Sequence, residues 1–486
     1  MNPTGTPGPP AEPGPGLPGP PGGTATDRGA DDGEPGAAPG LSRTVRIGYG
    51  LGSLATGTFG TVPGLILLYC LTDVLAVAPA VAGAAVFLPK AWDVVVNPLV
   101  GAPADRSRAQ GGSRRPFLLA GALTLPPLFA LVFAAPPLHG AGAAGCVAVL
   151  FLLAATAYAV FQVPYVTLPV ELAEDPVERG RLLGWRVGFL GVAILLSGAL
   201  APAIAQAGED SRAGYRTMGV VVAALLAAGM LGAWRGTRHA PVAARSEAEG
   251  PLRAQFAAVR GNRAFAALAG MWTAQALAVG TMLAGVQYFA TYTIGSAGAV
   301  TPLFACMIGP LVLVMPLWNR LARARGTERA QWCASLLFTA GAAALFLARY
   351  THAAVGYAAA ALVGVAYAGL QLLPLTMLAQ MLSADAARTG RRRAATFTGL
   401  WTAAETLALG PAVFALVLAV TGFRASAADE EVAQPASALT AVAVGTSVLP
   451  ALVSLAALLL LGRYRRESAA PAAALTRAQR EKDRAP

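Results

Sequence analysis

From Lys90 to Pro116 the chain reads KAWDVVVNPLVGAPADRSRAQGGSRRP. A base and an acid, Lys90 and Asp93, lie inside an apolar stretch that leads into an arginine-rich turn. Each ionisable group at the centre of a membrane helix costs roughly 2.5 to 3.5 kcal/mol, so a chain that keeps such groups there is expected to use them. The run therefore indicates a pathway for an ion or a solute across a membrane.

The composition of the whole chain agrees with this interpretation. Hydrophobic residues make up 55% of the chain, charged residues 13%, and the mean hydropathy is +0.56. This is more apolar surface than one soluble core requires. Because stretches of about 20 apolar residues recur along the chain, we expect an all-α membrane protein with twelve transmembrane helices. The predicted spans are 49–75, 80–101, 116–136, 144–170, 183–205, 217–234, 264–290, 301–318, 331–348, 354–382, 395–421 and 438–462.

The net charge of +11 is distributed in a way that favours membrane orientation over nucleic-acid binding. The arginines concentrate after the even-numbered spans, at 106–115, 179–181, 235–263, 320–329 and 388–393. The opposite loops carry only Arg212, Arg216, Arg349 and Arg424. By the positive-inside rule, we expect a multi-pass protein of the cell membrane with both termini in the cytoplasm, and no nucleic-acid partner.

Landmarks repeat about half a chain length apart, which indicates an internal duplication. Gly112 corresponds to Gly326, Pro164 to Pro374, and Trp185 to Trp401. We therefore expect two six-helix halves. The predicted organisation is a disordered cytoplasmic tail over 1–42, an N-terminal bundle over 43–234, a cytoplasmic linker over 235–263, a C-terminal bundle over 264–462 and a cytoplasmic tail over 463–486.

Two such halves are typical of alternating access, in which the halves rock around a central site. Lys90 and Lys482 are the lysines of the chain, and neither follows the glycine that a phosphate-binding loop requires. An ion gradient or the solute's own gradient is therefore the expected energy source. The four cysteines show neither metal-site nor disulfide spacing. We predict a monomer with no metal and no cofactor, whose partners are a small solute, a coupling cation (H⁺ or Na⁺) and the lipid bilayer.

One face of span 2 carries the leading candidate for a cation or proton site. At about 100° per helical residue, Lys90, Asp93 and Asn97 fall on the same side of the helix. Binding of a proton or sodium ion at Asp93 would weaken its pairing with Lys90 and bias the helix between two packings. The structural alternative is a static ion pair that lines the bundle.

Further polar residues are candidates for binding the solute. Arg186 and Glu405 are expected to face one cavity from opposite halves, where they either contact substrate or form salt bridges between the halves. Gln162 and Tyr165 share a face of span 4, which suits a hydroxylated ligand or, equally, helix packing. Weaker candidates are those that also fit as interface anchors or packing groups: Gln275, Tyr288, Tyr292, Gln371 and Trp401.

The arginine-rich turn is interpreted as a gate and not as a cargo site. Its acid can cap a helix or pair with arginines when the cytoplasmic side closes. The predicted gate residues are Asp105, Arg106, Arg115, Arg388 and Arg391.

Several motifs together resemble the glycoside/pentoside/hexuronide:cation symporters of the major facilitator superfamily. The resemblance covers most of the chain after residue 44. The motifs that carry it are Tyr49-Gly50-Leu51-Gly52, Leu71-Thr72-Asp73, Trp92-Asp93, Asn97-Pro98-Leu99-Val100-Gly101, Asp105-Arg106-Ser107-Arg108, Arg115-Pro116-Phe117, Val163-Pro164-Tyr165, Glu171-Leu172, Glu178-Arg179, Arg388-Thr389-Gly390-Arg391-Arg392 and Gly399-Leu400-Trp401.

The resemblance implies the major facilitator fold and secondary transport, commonly of sugars with sodium ions or protons. The chain also departs from the family pattern, in which acids occupy the places of Asn97 and Ser53 and a lysine lies near Glu405. Uptake of a sugar-like or glycoside-like solute is the leading interpretation. An efflux carrier, a uniporter and a lipid or lysolipid transporter stay open. A membrane prenyltransferase is the alternative from another class, although the chain lacks the second acidic cluster that would hold its magnesium.

Overall fold

The computed structural model describes most of the chain after residue 40. The described residues are 41–109, 113–134, 138–173, 175–207, 210–240, 262–389, 397, 399–401, 404–405, 408–427 and 432–482. All but the last two residues of the predicted tail at 1–42, and most of the predicted linker, lie outside this part of the chain.

Long helices dominate both halves of the described chain. The first half contains α1 (Arg43–Val62), α2 (Pro79–Ala109), α3 (Arg115–Phe133), α4 (Gly140–Leu172), α5 (Pro176–Ala205) and α6 (Ser211–Thr237). Two π-helical segments, Pro63–Leu67 and Cys70–Val74, continue the line of α1.

The second half begins with α7 (Arg263–Tyr288), which continues into the π-helical segment Phe289–Ile294 and the 3₁₀ turn Ala297–Ala299. The remaining helices are α8 (Val300–Ile308), α9 (Pro310–Arg325), α10 (Thr327–Leu347), α11 (Ala353–Thr389), α12 (Gly410–Val420), α13 (Ala436–Thr446) and α14 (Val448–Lys482).

Local chemistry explains where several helices begin and end. The Ser42 hydroxyl accepts from the Val45 amide at the start of α1, and the Asn262 side chain accepts from the Phe265 amide at the start of α7. Gly295 ends the π-helical segment after α7 with a φ of 82°, a backbone conformation that favours glycine. Gly326, with a φ of 88°, makes the tight turn between α9 and α10.

Eleven helices of the described chain are long and apolar enough to cross a membrane, which confirms the predicted all-α membrane fold. The twelfth predicted span, 395–421, is described as a continuous helix only over α12. One predicted detail was wrong: α2 runs on to Ala109, so Asp105 and Arg106 lie in a helix and not in a turn. The predicted spans 301–318 and 438–462 each lie within one candidate membrane span of the described chain. Each has a local break, at Gly309 or Ser447, where a proline follows within three residues.

Close packing of small residues positions the helices of the first half. An added Cβ at Gly48 on α1 would lie 2.6 Å from the Cα of Gly236 on α6, so the two backbones touch. The two halves meet where α2 packs on α12, α5 packs on α8, and the π-helical segment Pro63–Leu67 packs on α7. These contacts frame a central cavity.

Candidate functional site

A central cavity of about 190 Å³ lies between the halves. Its polar and aromatic lining residues are Lys90, Trp272, Gln275, Tyr367, Gln371 and Glu405. Lys90 comes from α2 of the first half, and the others come from α7, α11 and the stretch before α12. Groups of opposite charge therefore line the same cavity from opposite halves, although Arg186, the predicted counterpart of Glu405, is not among the lining residues.

Lys90 is the centre of the charged part of this site. It interacts electrostatically with Asp93, one helical turn further along α2, and also with Glu405 across the cavity. The Oδ1 atom of Asp93 is buried and has no hydrogen-bond partner in the described part of the chain. A buried acceptor without a donor is costly, so this oxygen is available to a ligand or ion.

Neighbouring side chains hold α2 in register. The indole Nε1 of Trp92 donates to the Thr156 hydroxyl on α4 over 3.0 Å, and Thr156 in turn donates to the Leu152 carbonyl over 2.9 Å. Asn97 is half-buried on the same helix. The predicted alignment of Lys90, Asp93 and Asn97 on α2 thus rests on a continuous helix that is fixed against α4.

Tyr165 is fully buried and belongs to the packing of the first half. Its hydroxyl donates to the Tyr49 carbonyl and contacts the Ser53 hydroxyl, each over 2.8 Å. Its ring stacks on those of Tyr49 and Phe161, at centroid distances of 4.9 and 5.2 Å. In this conformation the Tyr165 hydroxyl both donates and accepts a hydrogen bond within the first half. This favours a role in helix packing over direct binding of the solute.

Arg186 and Gln162 lie near this packed ring. The Arg186 guanidinium carbon is 5.8 Å from the Tyr165 ring centroid, within range of a cation–π interaction. The Gln162 Oε1 atom is buried without a partner among the described residues. Tyr158, one helical turn before Gln162 on α4, lies within electrostatic range of Arg186, Asp93 and Glu405. The structure therefore brings Arg186 into the same electrostatic neighbourhood as the predicted acids.

The second half contributes an aromatic and amide wall. Trp272 and Trp401 stack with centroids 5.1 Å apart, and the Trp272 Nε1 atom is buried with no acceptor in the described chain. Gln371 donates to the Tyr367 hydroxyl over 3.0 Å. Gln275 donates to the Ser335 hydroxyl on α10 over 3.0 Å, and this bond fixes the position of its side chain. Trp272 and Tyr367 were missed by the sequence reasoning, because aromatic residues are common in membrane helices and carry no local signal of facing a cavity.

The predicted gate falls partly outside the described residues. Arg391 lies there entirely, and the side chains of Asp105, Arg106 and Arg388 are not described. Arg115 donates to the carbonyl oxygens of Arg238 and Ala240, which ties the start of α3 to the end of α6. These contacts lie within one half, so the gate stays a prediction.

Described ion pairs at the arginine-rich end also lie within single halves. Arg46 pairs with Glu178 over 2.6 Å, and Arg114 pairs with Glu171. In the second half, Arg465 lies 3.6 Å from Glu328. These pairs connect helices within each bundle at this end.

At the opposite end, the two halves are joined around Asp73. Thr72 and Tyr292 both donate to the Asp73 carboxylate, and Tyr288 lies 2.6 Å from the Thr72 hydroxyl. From the sequence, Asp73 was noted only within the motif Leu71-Thr72-Asp73. A role at the interface was not predicted, because its partners in the second half are distant in sequence. Direct hydrogen bonds therefore connect the two halves at this end.

Comparisons with known proteins agree on one family. A family model described as MFS/sugar transport protein matches residues 48–467. The protein named "Putative glycoside/cation symporter YagG" of Escherichia coli (strain K12) is 33% identical over an alignment that covers 36% of this chain and 38% of YagG. The uncharacterized symporter sll1374 of Synechocystis sp. (strain ATCC 27184 / PCC 6803 / Kazusa) is 24% identical, over 86% of this chain and 93% of its own.

Among solved structures, a bacterial homolog of the human lysosomal transporter Spinster, in an inward-facing and occupied conformation, superposes with a TM-score of 0.64. The superposition covers 87% of this chain and 95% of that one, at 14% sequence identity. At this identity the likeness establishes the fold alone.

Proposed function

The chain belongs to the MFS/sugar transport protein family, and from that premise we propose that it is a secondary active transporter that moves a small polar solute across the membrane by alternating access. The family match confirms the predicted family and fold class, and it argues against the alternative of a membrane prenyltransferase. The substrate class, the coupling ion and the site residues belong to the proposal.

One observation carries this proposal. Lys90 from the first half and Glu405 from the second half line the same cavity. A solute that bridges these groups contacts both halves at once, and so does a proton or ion that changes their charge. Sites at the interface of the two repeats are what alternating access requires.

The lining groups favour a hydroxylated solute of sugar or glycoside type. The amides of Gln275 and Gln371 both donate and accept, the Tyr367 hydroxyl does the same, and the Trp272 indole offers an unused donor. Polar groups that converge on one cavity can fix the orientation of such a ligand. Arg186, Gln162 and Trp401 lie at the margin of this proposed site, and Tyr165 supports it from behind.

Coupling is proposed to act through exchange of the partner of Lys90. Asp93 and Glu405 compete for this single ammonium group, and one of them lies in each half. When a proton or sodium ion occupies Asp93, with help from the Asn97 amide, Lys90 is released towards Glu405. Because the two acids lie in different halves, the exchange biases the relative orientation of the halves.

The arrangement in the cell follows from the charge distribution. The arginine-rich loops and both termini face the cytoplasm, and the protein acts as a monomer in the cell membrane. Asp105, Arg106, Arg115, Arg388 and Arg391 form the cytoplasmic gate. The hydrogen bonds around Asp73 support a conformation whose cavity opens towards the cytoplasm.

Counterflow in proteoliposomes tests the proposal without assuming a direction of transport. The purified protein is screened against sugars, glycosides, organic acids and lysolipids, and each substrate found is tested with imposed proton and sodium gradients. We expect counterflow of a hydroxylated solute that Glu405→Gln reduces. Glu328→Gln, at a half-buried residue that does not line the cavity, should leave it unchanged. Counterflow of lysolipids alone, or an equal rate in the Glu405→Gln variant, contradicts the proposed solute and site.

A further inference from the structure

Asp73 is a buried carboxylate at the end of the molecule opposite the arginine-rich loops. Its residue is 8% exposed, and it lies in the π-helical segment Cys70–Val74 of the first half. Both of its oxygens accept hydroxyl groups, Oδ2 from Thr72 and Oδ1 from Tyr292. Tyr292 belongs to the second half, so this carboxylate is bonded across the interface between the halves.

The bonding direction in this cluster is determined by chemistry. The ionised carboxylate of Asp73 accepts hydrogen bonds and cannot donate them. The Thr72 hydroxyl therefore donates its proton to Asp73. The Tyr288 hydroxyl, 2.6 Å away, must then donate to Thr72. Two phenols of the second half, Tyr288 and Tyr292, therefore donate into one acidic centre of the first half.

Contacts around this cluster complete the closure. Backbone bonds link Thr72 and Ala76 to Ser426, over 2.9 and 3.0 Å. The ring of Phe423 packs edge-on against both phenols, with centroids 5.6 Å from Tyr288 and 5.5 Å from Tyr292. Ser426 and Phe423 thus surround the cluster with backbone and aromatic contacts. In such surroundings of low polarity, hydrogen bonds to a carboxylate are stronger than in water.

We propose that Asp73, Thr72, Tyr288 and Tyr292 form a carboxylate–hydroxyl latch that holds this end of the transporter shut and sets the balance between its two orientations. The inference rests on the proposed alternating access. The hydrogen-bond donors of the latch are neutral hydroxyl groups. When the latch opens, the Asp73 carboxylate is therefore the only charged group of the latch that water must solvate. A buried ion pair would expose two charges and tie the halves more rigidly. A latch of this kind is strong enough to close the end and weak enough to reopen in each cycle.

Distances between spin labels across the closed end test the latch and need no substrate. The four native cysteines are replaced by serine, and labels are attached at Leu138→Cys in the first half and Tyr350→Cys in the second, both exposed near this end. Pulsed electron paramagnetic resonance in nanodiscs then gives the populations of short and long distances. Tyr292→Phe and Thr72→Val each remove one bond across the interface while keeping the size of the side chain.

We expect each variant to raise the ratio of long to short distances by about tenfold, the effect of losing one hydrogen bond in a charged cluster. Tyr357→Phe, at the same end of the second half and without a described hydrogen bond, should match the parent. Distance distributions in Tyr292→Phe and Thr72→Val that equal those of the parent would overturn the latch. If the two variants show longer spin-label distances but the parent protein shows no counterflow in the screen, the latch is supported. That result would count only against the proposed solute.

Discussion

At the scale of single residues, the buried carboxylate of Asp93 is the group on which the proposed coupling depends. Its Oδ1 atom has no hydrogen-bond partner in the described chain, and Lys90 is shared with Glu405. An arrangement that leaves an acceptor unused in the ground state is suited to binding a cation during the cycle. The sequence alone indicates this residue, because a charged side chain within a membrane helix is costly.

Asp93→Asn should abolish gradient-driven uptake while solute exchange is partly retained. The amide has nearly the same size but binds no proton or sodium ion, and exchange requires no net movement of the cation. Uptake under imposed gradients and counterflow are measured in the same proteoliposomes. Asp210→Asn is the matched control, because asparagine preserves the helix cap that Asp210 provides to α6. Equal gradient-driven uptake by Asp93→Asn and the parent would exclude Asp93 as the coupling site.

Tyr165→Phe should affect stability more than solute affinity. The change removes the bonds to the Tyr49 carbonyl and the Ser53 hydroxyl, and each buried hydrogen bond is worth about 1 kcal/mol. We expect a lower apparent melting temperature in detergent than for Tyr350→Phe, whose ring is 70% exposed. A rise in KM with an unchanged melting temperature would instead return Tyr165 to the list of solute ligands.

At the scale of helices, the small residues of α1 decide how closely it approaches α6. Gly48→Ala places a methyl group 2.6 Å from the Gly236 Cα, and the helices must separate to accommodate it. We expect a loss of about 1 to 3 kcal/mol in stability, seen as a lower apparent melting temperature. Gly60→Ala, on the same helix and facing open space, should be neutral or stabilising. Equal behaviour of the two variants would show that the contact between α1 and α6 does not limit stability.

The same scale shows what the sequence could and could not predict. Hydropathy located the helices, because any segment that crosses the bilayer must be apolar over its full length. It did not detect the continuation of α2 to Ala109, because residues 102–109 carry charged and polar side chains and lie beyond the apolar run. It did not detect the break at Gly309, because a single residue outside the helix leaves the mean hydropathy of the span unchanged. Lys90 and Asp93 were found because charges stand out in an apolar helix. The partners of Asp73 were not found, because Tyr288 and Tyr292 become its neighbours only when distant helices pack.

At the scale of the whole molecule, the two ends are built from different chemistry. The closed end joins the halves through hydroxyl groups around one carboxylate, whereas the described ion pairs at the arginine-rich end lie within each half. In this conformation the described contacts join the halves at the first end and join helices within each half at the second. This asymmetry is what a carrier that opens its ends alternately needs.

The orientation of the molecule in the membrane gives the last prediction. By the positive-inside rule, Arg323 should face the cytoplasm and Tyr350 the outside, although both are exposed. Arg323→Cys and Tyr350→Cys are placed singly in the background without native cysteines and treated with a membrane-impermeant maleimide. Intact cells should label only Tyr350→Cys, and disrupted cells should label both. Labelling of Arg323→Cys in intact cells would invert the assignment and would place the latch around Asp73 on the cytoplasmic side.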